Sequence, residues 1–239
     1  MKKYIILALL CFSALPALAC ITCNKEIREG IWNSSFYPNL LTMLSGFIVL
    51  AIIVIILSAV ASKRHIKRRD NNQGIDYPSP VPLTTASMVL GIGLGGFADG
   101  IILHQLLQWH EMLSNKIPAT NYVGKSINMF WDGVFHFFCL AVVVTGVILL
   151  WRLMKRKDVH HSGKLLSGGL LLGWGVFNIV EGIIDHHLLK LHNILELSPN
   201  HDTGNFIFLG ISVLLILSGY ALVKSVNKKE HRPNHQQIT

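Results

Sequence analysis

Two stretches of the chain carry acidic and histidine residues at matching positions. Glu181 to His192 reads E-G-I-I-D-H-H-L-L-K-L-H, and Asp99 to His110 reads D-G-I-I-L-H-Q-L-L-Q-W-H. At a constant offset of 82, ten of the 21 positions from Leu90 to His110 are identical in the later stretch. Imidazoles that converge with carboxylates are typical ligands of zinc, copper or iron. The pattern therefore indicates a duplicated unit that could hold a transition metal.

Eight titratable residues lie inside apolar segments of the chain. An unpaired charge in hydrocarbon costs at least about 2.5–3.5 kcal/mol. These side chains must therefore face one another, water or a cation. They are Asp99, Asp132, Glu181, Asp185, His104, His136, His186 and His187.

Helical spacing predicts which of these side chains meet. Asp132 and His136 are four residues apart and share one helix face. His104 and His186 hold equivalent positions near glycines, where helices can approach closely. Inward-facing ligands on adjacent helices are the usual way in which a bundle builds a metal site. The predicted metal ligands are His104, His136, His186, His187, Asp132 and Asp185.

Four further residues receive supporting roles. Asp99 and Glu181 lie about 140° around an α-helix from the histidines five positions later, at about 100° per residue. They are predicted to orient imidazoles through the other ring nitrogen. His110 and His192 stand near the ends of the apolar spans and are predicted to be peripheral ligands or part of an entry path.

The two copies also differ. The second copy has Asp185 and His187 where the first has leucine and glutamine. If the site is asymmetric, we expect the second copy to supply most of the ligands. Asp202 is the predicted counterpart of Asp132, with a shorter connecting loop before it.

Composition places these residues in a membrane. Of 239 residues 51% are apolar and 14% are charged, and the mean hydropathy is +0.47. Such values are typical of a polytopic membrane protein. An apolar span of about 20 residues crosses the hydrocarbon core. Five spans are predicted at Leu40 to Ala61, Leu83 to Leu107, Ile127 to Leu150, Leu165 to Leu189 and Phe206 to Val223.

The N-terminus precedes these spans. Residues 1–19 have the layout of a cleaved secretory signal peptide, and Cys20 could instead be a lipoprotein cysteine. Cys20 and Cys23 form a Cys-x-x-Cys pair, for which a disulfide, a soft metal-ligand pair and a redox switch all remain open. Residues 20–62 are thus a short periplasmic segment followed by a membrane helix.

The charged residues predict the topology. The segments 63–82, 151–164 and 224–239 hold 14 Lys and Arg, whereas the three outer segments hold five. Because cytoplasmic loops carry the excess of basic residues, the mature N-terminus is predicted to be periplasmic and the C-terminus cytoplasmic, in a bacterial inner membrane. The basic residues behind the net charge of +8 are therefore interpreted as determinants of membrane orientation. The predicted partners are lipid and a metal ion, with no nucleic acid.

These features define the predicted fold class. It is an all-α membrane protein with five transmembrane helices after signal cleavage, the last four forming a bundle of two parallel helix-pair repeats. A basic, Pro-rich cytoplasmic linker at 63–82 leads to the four-helix domain at 83–225, and a cytoplasmic tail follows at 226–239.

The motifs G-F-A-D-G-I-I-L-H-Q-L-L-Q-W-H, W-D-G-V-F-H and G-W-G-V-F-N-I-V-E-G-I-I-D-H-H-L-L-K-L-H resemble a bacterial family of predicted four-helix membrane proteins classified as a domain of unknown function. The resemblance covers about residues 83 to 225 and implies a four-helix membrane architecture. It brings no activity with it. The residues that match the family motifs are Asp99, His104, His110, Asp132, His136, Glu181, Asp185, His186, His187 and His192.

The leading functional hypothesis is a membrane protein that binds a transition metal near the outer face, for metal handling or metal-dependent redox chemistry. Copper is placed slightly ahead of zinc and iron because the cysteines and methionines on that side offer soft donors. The alternatives are a b-type haem cytochrome, a metal-dependent oxidase or hydrolase and a proton-coupled transporter. Whether the protein is an enzyme stays open.

Overall fold

The protein is an all-α membrane protein with five apolar helices that are long enough to span a bilayer. The computed structural model describes residues 24–71 and 78–230, so the predicted signal peptide and the pair Cys20 and Cys23 lie outside the described residues. The predicted spans are confirmed, with longer helices than the apolar cores alone suggested. The helices are α1 (Lys25–Ile31), α2 (Phe36–Asn71), α3 (Val81–Ala98), α4 (Tyr122–Leu153), α5 (Gly163–Glu181) and α6 (His201–Glu230).

The short helix α1 packs against the start of α4. Asn24 caps α1 by accepting the backbone N–H group of Glu26 at 2.9 Å. Ile27 and Ile31 are four residues apart and fully buried, with at most 1% exposed. This apolar face fixes the polypeptide that leads into α2.

The helices α3 and α5 form the centre of the bundle. A Cβ atom on Gly91 would lie 2.8 Å from Leu170 Cα, and one on Gly173 would lie 2.9 Å from Ile92 N. Only glycine permits backbones to approach so closely. Gly91 and Gly173 are 82 residues apart in the chain. The two central helices therefore cross at glycines that hold equivalent positions in the two copies.

Each outer helix packs on one central helix in the same way. Added Cβ atoms on Gly93 and Gly175 would meet Val143 N at 2.8 Å and Ile216 N at 3.0 Å, respectively. Val143 on α4 and Ile216 on α6 are 73 residues apart. The contacts of the two helix pairs therefore correspond at an offset of 82 for the central helices and 73 for the outer helices.

The N-terminal span α2 packs on one side of the bundle. Its Phe47 ring lies 6.0 Å from Phe135 and 5.6 Å from Phe138, and Ser58 shares a hydrogen bond of 2.8 Å with Thr85. The helix covers α4 and the neighbouring edges of the central pair, whereas α6 lies on the opposite side.

Candidate metal centre

The cluster begins where the two central helices become π-helical. After Ala98, α3 continues as a π-helical segment Asp99–Leu106, and after Glu181, α5 continues as Gly182–Leu188. Backbone bonds in a π-helix join residues five apart, which brings side chains at i and i+5 towards one face. His104 Nε2 accordingly lies 2.9 Å from Asp99 Oδ2.

The chain then reverses sharply after each π-helical segment. Gln108 and Lys190 adopt positive φ angles of 51° and 49°, in the left-handed region that non-glycine residues rarely adopt. Trp109 N–H donates to Leu103 O at 2.9 Å, and the equivalent bond in the second half is 2.7 Å. The reversal turns the next residues back into the bundle, where His110 is 1% and His192 is 0% exposed.

Six side chains converge at this level, three from each half. Their possible ligand atoms form three groups, within each of which the atoms lie no more than 4.8 Å apart. None of these residues is more than 4% exposed. The three groups are His104, His110 and His192; Glu181, His186 and His192; and Asp99, His104 and Glu181.

The imidazole rings are in direct contact. His110 and His192 stack with centroids 4.6 Å apart and planes at 12°. His104 approaches the edge of His110 at 4.4 Å, and His186 approaches His192 at 4.7 Å. The rings form a compact, buried group in which neighbouring imidazoles pack directly on one another.

Hydrogen bonds outside the cluster fix two of the imidazoles. His110 Nδ1 donates to Ile194 O, and His192 Nδ1 donates to Met112 O, both at 3.1 Å. A carbonyl oxygen can only accept, so the proton resides on Nδ1 and each neutral ring turns a free lone pair on Nε2 inwards. Met112 and Ile194 are 82 residues apart, so each half supports the histidine of the other half.

Electrostatics favour the neutral form of these two rings. Burial and, to a lesser extent, the neighbouring His104 lower the pKa of His192 to about 4. Burial also lowers the pKa of His110 well below its usual value. A neutral imidazole is the form that binds metals.

The inward-facing atoms lack hydrogen-bond partners within the described part of the chain. These atoms are the Nε2 atoms of His110, His186 and His192, Asp99 Oδ1 and both carboxylate oxygens of Glu181, whereas His104 Nε2 and Asp99 Oδ2 lie 2.9 Å from each other. A buried polar group without a partner costs about 1–3 kcal/mol, and more when it is charged. Lone pairs and carboxylate oxygens that converge in this way could hold a cation.

The outer helices support the backbone around the cluster. Asp132 Oδ1 on α4 accepts Met112 N–H at 3.0 Å and lies 2.9 Å from His104 Nδ1. Asn205 Oδ1 on α6 accepts Ile194 N–H at 3.0 Å. The counterpart of Asp132 is therefore Asn205, and the prediction of Asp202 was wrong because the loop before α6 is longer than the predicted register requires.

The predicted ligands fall into two sets. His104 and His186 lie in the cluster, and Asp132 supports His104 from outside it. His136, His187 and Asp185 belong to none of the three groups found among the described residues. His136 Nδ1 lies 3.4 Å from the Gln105 amide, and His187 Nδ1 donates to Gly182 O at 2.6 Å.

The residues given supporting roles lie at the centre instead. Asp99 and Glu181 come to the histidines because the π-helical turns replace the α-helical spacing of about 100° per residue. His110 and His192 arrive through the left-handed reversals. Each half contributes one acid and two histidines, so the second copy does not supply most of the cluster.

One signal in the sequence marked this set. The six cluster residues are the acid, the first histidine and the last histidine that the two copies share. The acidic and histidine residues found in only one copy, Asp185 and His187, lie outside the three groups. Shared positions therefore indicated the cluster better than helical spacing did.

Comparison with known proteins supports the membrane assignment alone. The model of a family described as "Predicted membrane protein (DUF2243)" matches residues 86–226. No curated protein and no solved structure matches the chain. The matched region contains α4, α5, both π-helical segments and all six cluster residues.

Proposed function

Because the chain belongs to the DUF2243 family of predicted membrane proteins through its four-helix region, we propose that this region holds a transition metal in the six-residue cluster. The observation that carries the proposal is the pair His110 and His192. Their Nδ1 atoms are committed to carbonyl oxygens, and their Nε2 atoms meet two buried carboxylates with no other partner among the described residues.

The composition of the cluster narrows the class of metal. Each half supplies two imidazoles and one carboxylate, which is the donor set of catalytic zinc sites and of non-haem iron sites. The three groups contain only nitrogen and oxygen donors, and sulfur was the reason for placing copper first. We therefore propose zinc or iron ahead of copper.

A cluster held together by protons alone is the main rival interpretation. His104 lies between Asp99 and Asp132, at 2.9 Å from each, and an imidazolium would satisfy that geometry. The other three histidines have no comparable pair of carboxylates. For this reason the proposal depends on His110 and His192 and not on His104.

The contacts between the rings argue against haem. A porphyrin must fit between its two axial imidazoles. The neighbouring rings here have centroids only 4.4–4.7 Å apart, so they pack directly on one another. A metal ion without a macrocycle fits the cluster better.

The proposed setting follows from the basic residues. With the Lys- and Arg-rich segments in the cytoplasm, the cluster lies at the outer end of the bundle in a bacterial inner membrane. Metal handling and metal-dependent chemistry both suit this place.

The test is elemental analysis of the detergent-purified full chain. We expect bound zinc or iron in the wild type, and its loss in His110→Ala and in His192→Ala. His161→Ala is the matched control, because His161 is exposed and should leave the metal content unchanged.

A second measurement distinguishes the loss of a metal ligand from misfolding of the variant. Added Zn²⁺ or Fe²⁺ should raise the Tm of metal-stripped wild type, since a ligand stabilises the state that binds it, and should leave the Tm of His192→Ala unchanged. Wild-type protein that holds no metal and gains no stability from Zn²⁺, Fe²⁺ or copper would overturn the proposal.

A further inference from the structure

Two grooves reach the cluster on different sides of the bundle, each lined by residues of both halves. The first is lined by Glu181, Val180, Met112 and Phe135, and the second is lined by Asp99, Ala98, Ile194 and Phe208. These residues correspond pairwise at the offsets of 82 and 73 that relate the two halves. The grooves are therefore equivalent places on the bundle.

The first groove is filled by α2. Met43, Gly46, Phe47 and Leu50 enter it and leave a cavity of only about 20 Å³. The second, which we call the open groove, has no residue of α2 in its lining and keeps a cavity of about 390 Å³. Equivalent surfaces are thus covered by α2 on one side of the bundle and left accessible on the other.

The wall of the open groove is apolar and faces the lipid. Ile207 and Ile211 of α6 line it with 58% and 50% exposed. Trp109 and Trp174 add two indole rings. A volume of about 300–1,000 Å³ with mostly apolar walls is typical of small-molecule sites, and this site is reached from the membrane.

Two hydrogen-bond acceptors lie at the inner end of the groove. Asn178 is 5% exposed, and its Oδ1 atom has no partner in the described chain. Asp99 Oδ1 is likewise unpartnered, whereas Asp99 Oδ2 lies 2.9 Å from His104 Nε2. Neither group can donate through these atoms, so the complementary ligand must bring a donor.

We propose that the open groove binds a membrane-soluble alcohol or phenol. Its hydroxyl group donates to Asn178 Oδ1 or Asp99, and its apolar body lies between the indole rings and α6. Binding does not require the metal, but the position of the hydroxyl beside a metal ion rests on the proposed function. Asp99 can contact both the hydroxyl group and a metal ion, because a carboxylate has lone pairs that point in several directions.

A matched pair of ligands tests the hydroxyl. The full chain in nanodiscs is titrated by calorimetry with 4-nonylphenol and with its methyl ether, against empty nanodiscs. We expect the phenol to bind at least about tenfold more tightly, because a site built to bond a hydroxyl rejects the analogue without it. Equal binding of the two would indicate partition into the membrane and would overturn the proposal.

Three variants test the location. Asn178→Leu should lower the affinity for the phenol to that for the ether, and Ile211→Trp should abolish both by filling the groove. Ile148→Trp is the control, since Ile148 of α4 is 46% exposed and lines neither groove. Wild-type affinity in Ile211→Trp would overturn the proposal, as would a disulfide between two copies of Ile211→Cys, which would place a second chain on the groove.

The outcome is separable from that of the metal. Asn178→Leu should keep the metal content of the wild type. Phenol binding by metal-stripped protein would support the groove even if the metal proposal failed. A variant that loses phenol binding but keeps its metal would show that the substitution acts on the groove and leaves the metal site intact.

Discussion

Each half of the bundle supplies the same three positions to the cluster, yet the two halves support one pair of equivalent histidines differently. In the first half, His104 Nδ1 lies 2.9 Å from a carboxylate oxygen of Asp132. In the second half, both nitrogens of His186 lack partners among the described residues, and Asn205 stands where a carboxylate would be needed. The backbone is thus repeated, while the electrostatic environment is not.

This difference separates the residues that set the backbone arrangement, which occur in both halves, from those that set the electrostatic environment of the cluster, which do not. Each half has its own crossing glycine, Gly91 or Gly173, and its own set of one acid and two histidines in the cluster. The supporting carboxylate occurs once, beside His104, and α2 covers only one side of the bundle. A metal bound in this cluster would therefore meet unequal surroundings in the two halves.

The largest effect is expected at the crossing of the central helices. Gly91→Val and Gly173→Val each put side-chain atoms into the backbone of the facing helix, where a Cβ alone would already come within 3 Å. We expect each to lower the free energy of unfolding by about 3 kcal/mol or more, the upper end for overpacked positions. Thermal unfolding in detergent measures it.

Gly210→Val is the matched control for that pair. Gly210 also lies in a membrane helix, but an added Cβ would meet nothing within 4 Å. Its Tm should stay close to that of the wild type. If only one of the two crossing glycines proved sensitive, the two halves would not share the crossing, and the comparison would fail.

A smaller effect is expected from the residue that distinguishes the halves. Asp132→Asn keeps an acceptor for Met112 N–H but removes the carboxylate beside His104. Residues that orient a ligating imidazole typically contribute about 10–100-fold to metal affinity. We expect a loss of that size in metal titrations of the purified protein.

Asn205→Ala is the comparison variant for Asp132→Asn. It removes the acceptor for Ile194 N–H but no partner of a cluster histidine, so its loss of affinity should be less than about tenfold. Equal losses in the two variants would show that the carboxylate has no special role, and that both outer helices act only through the backbone.

Sequence patterns predicted the elements well because the spans depend on local composition. Long uncharged runs and the positions of the glycines were sufficient for the five membrane helices. The matching offset of 82 also identified the equivalent central helices. The register of α6 was missed because the sequence match fades there, and only the contacts of Val143 and Ile216 reveal the offset of 73.

The arrangement of the site could not be predicted from regular helical geometry. An α-helix turns Asp99 away from His104, and only the change to a π-helix brings them to 2.9 Å. The reversals occur at Gln108 and Lys190, residue types that carry no turn signal. Tertiary packing of the two halves imposes both features, so helical spacing misplaced His110 and His192 at the periphery.

The smallest effect is expected at Cys139. It is fully buried, and its counterpart at the offset of 73 is Ser212, whose hydroxyl donates to Phe208 O at 2.6 Å. Cys139→Ser can make the same bond to Phe135 O one turn earlier. We expect metal content and Tm to remain close to those of the wild type.

This near-silent substitution is the sharpest test of the metal class. Gly96 packs against the Cys139 thiol, which places the sulfur between helices and in none of the three ligand groups. Elemental analysis of Cys139→Ser beside wild type measures the consequence. Loss of the metal would make the thiol a ligand, restore copper to first place and show that the centre draws a donor from one half that Ser212 cannot match in the other.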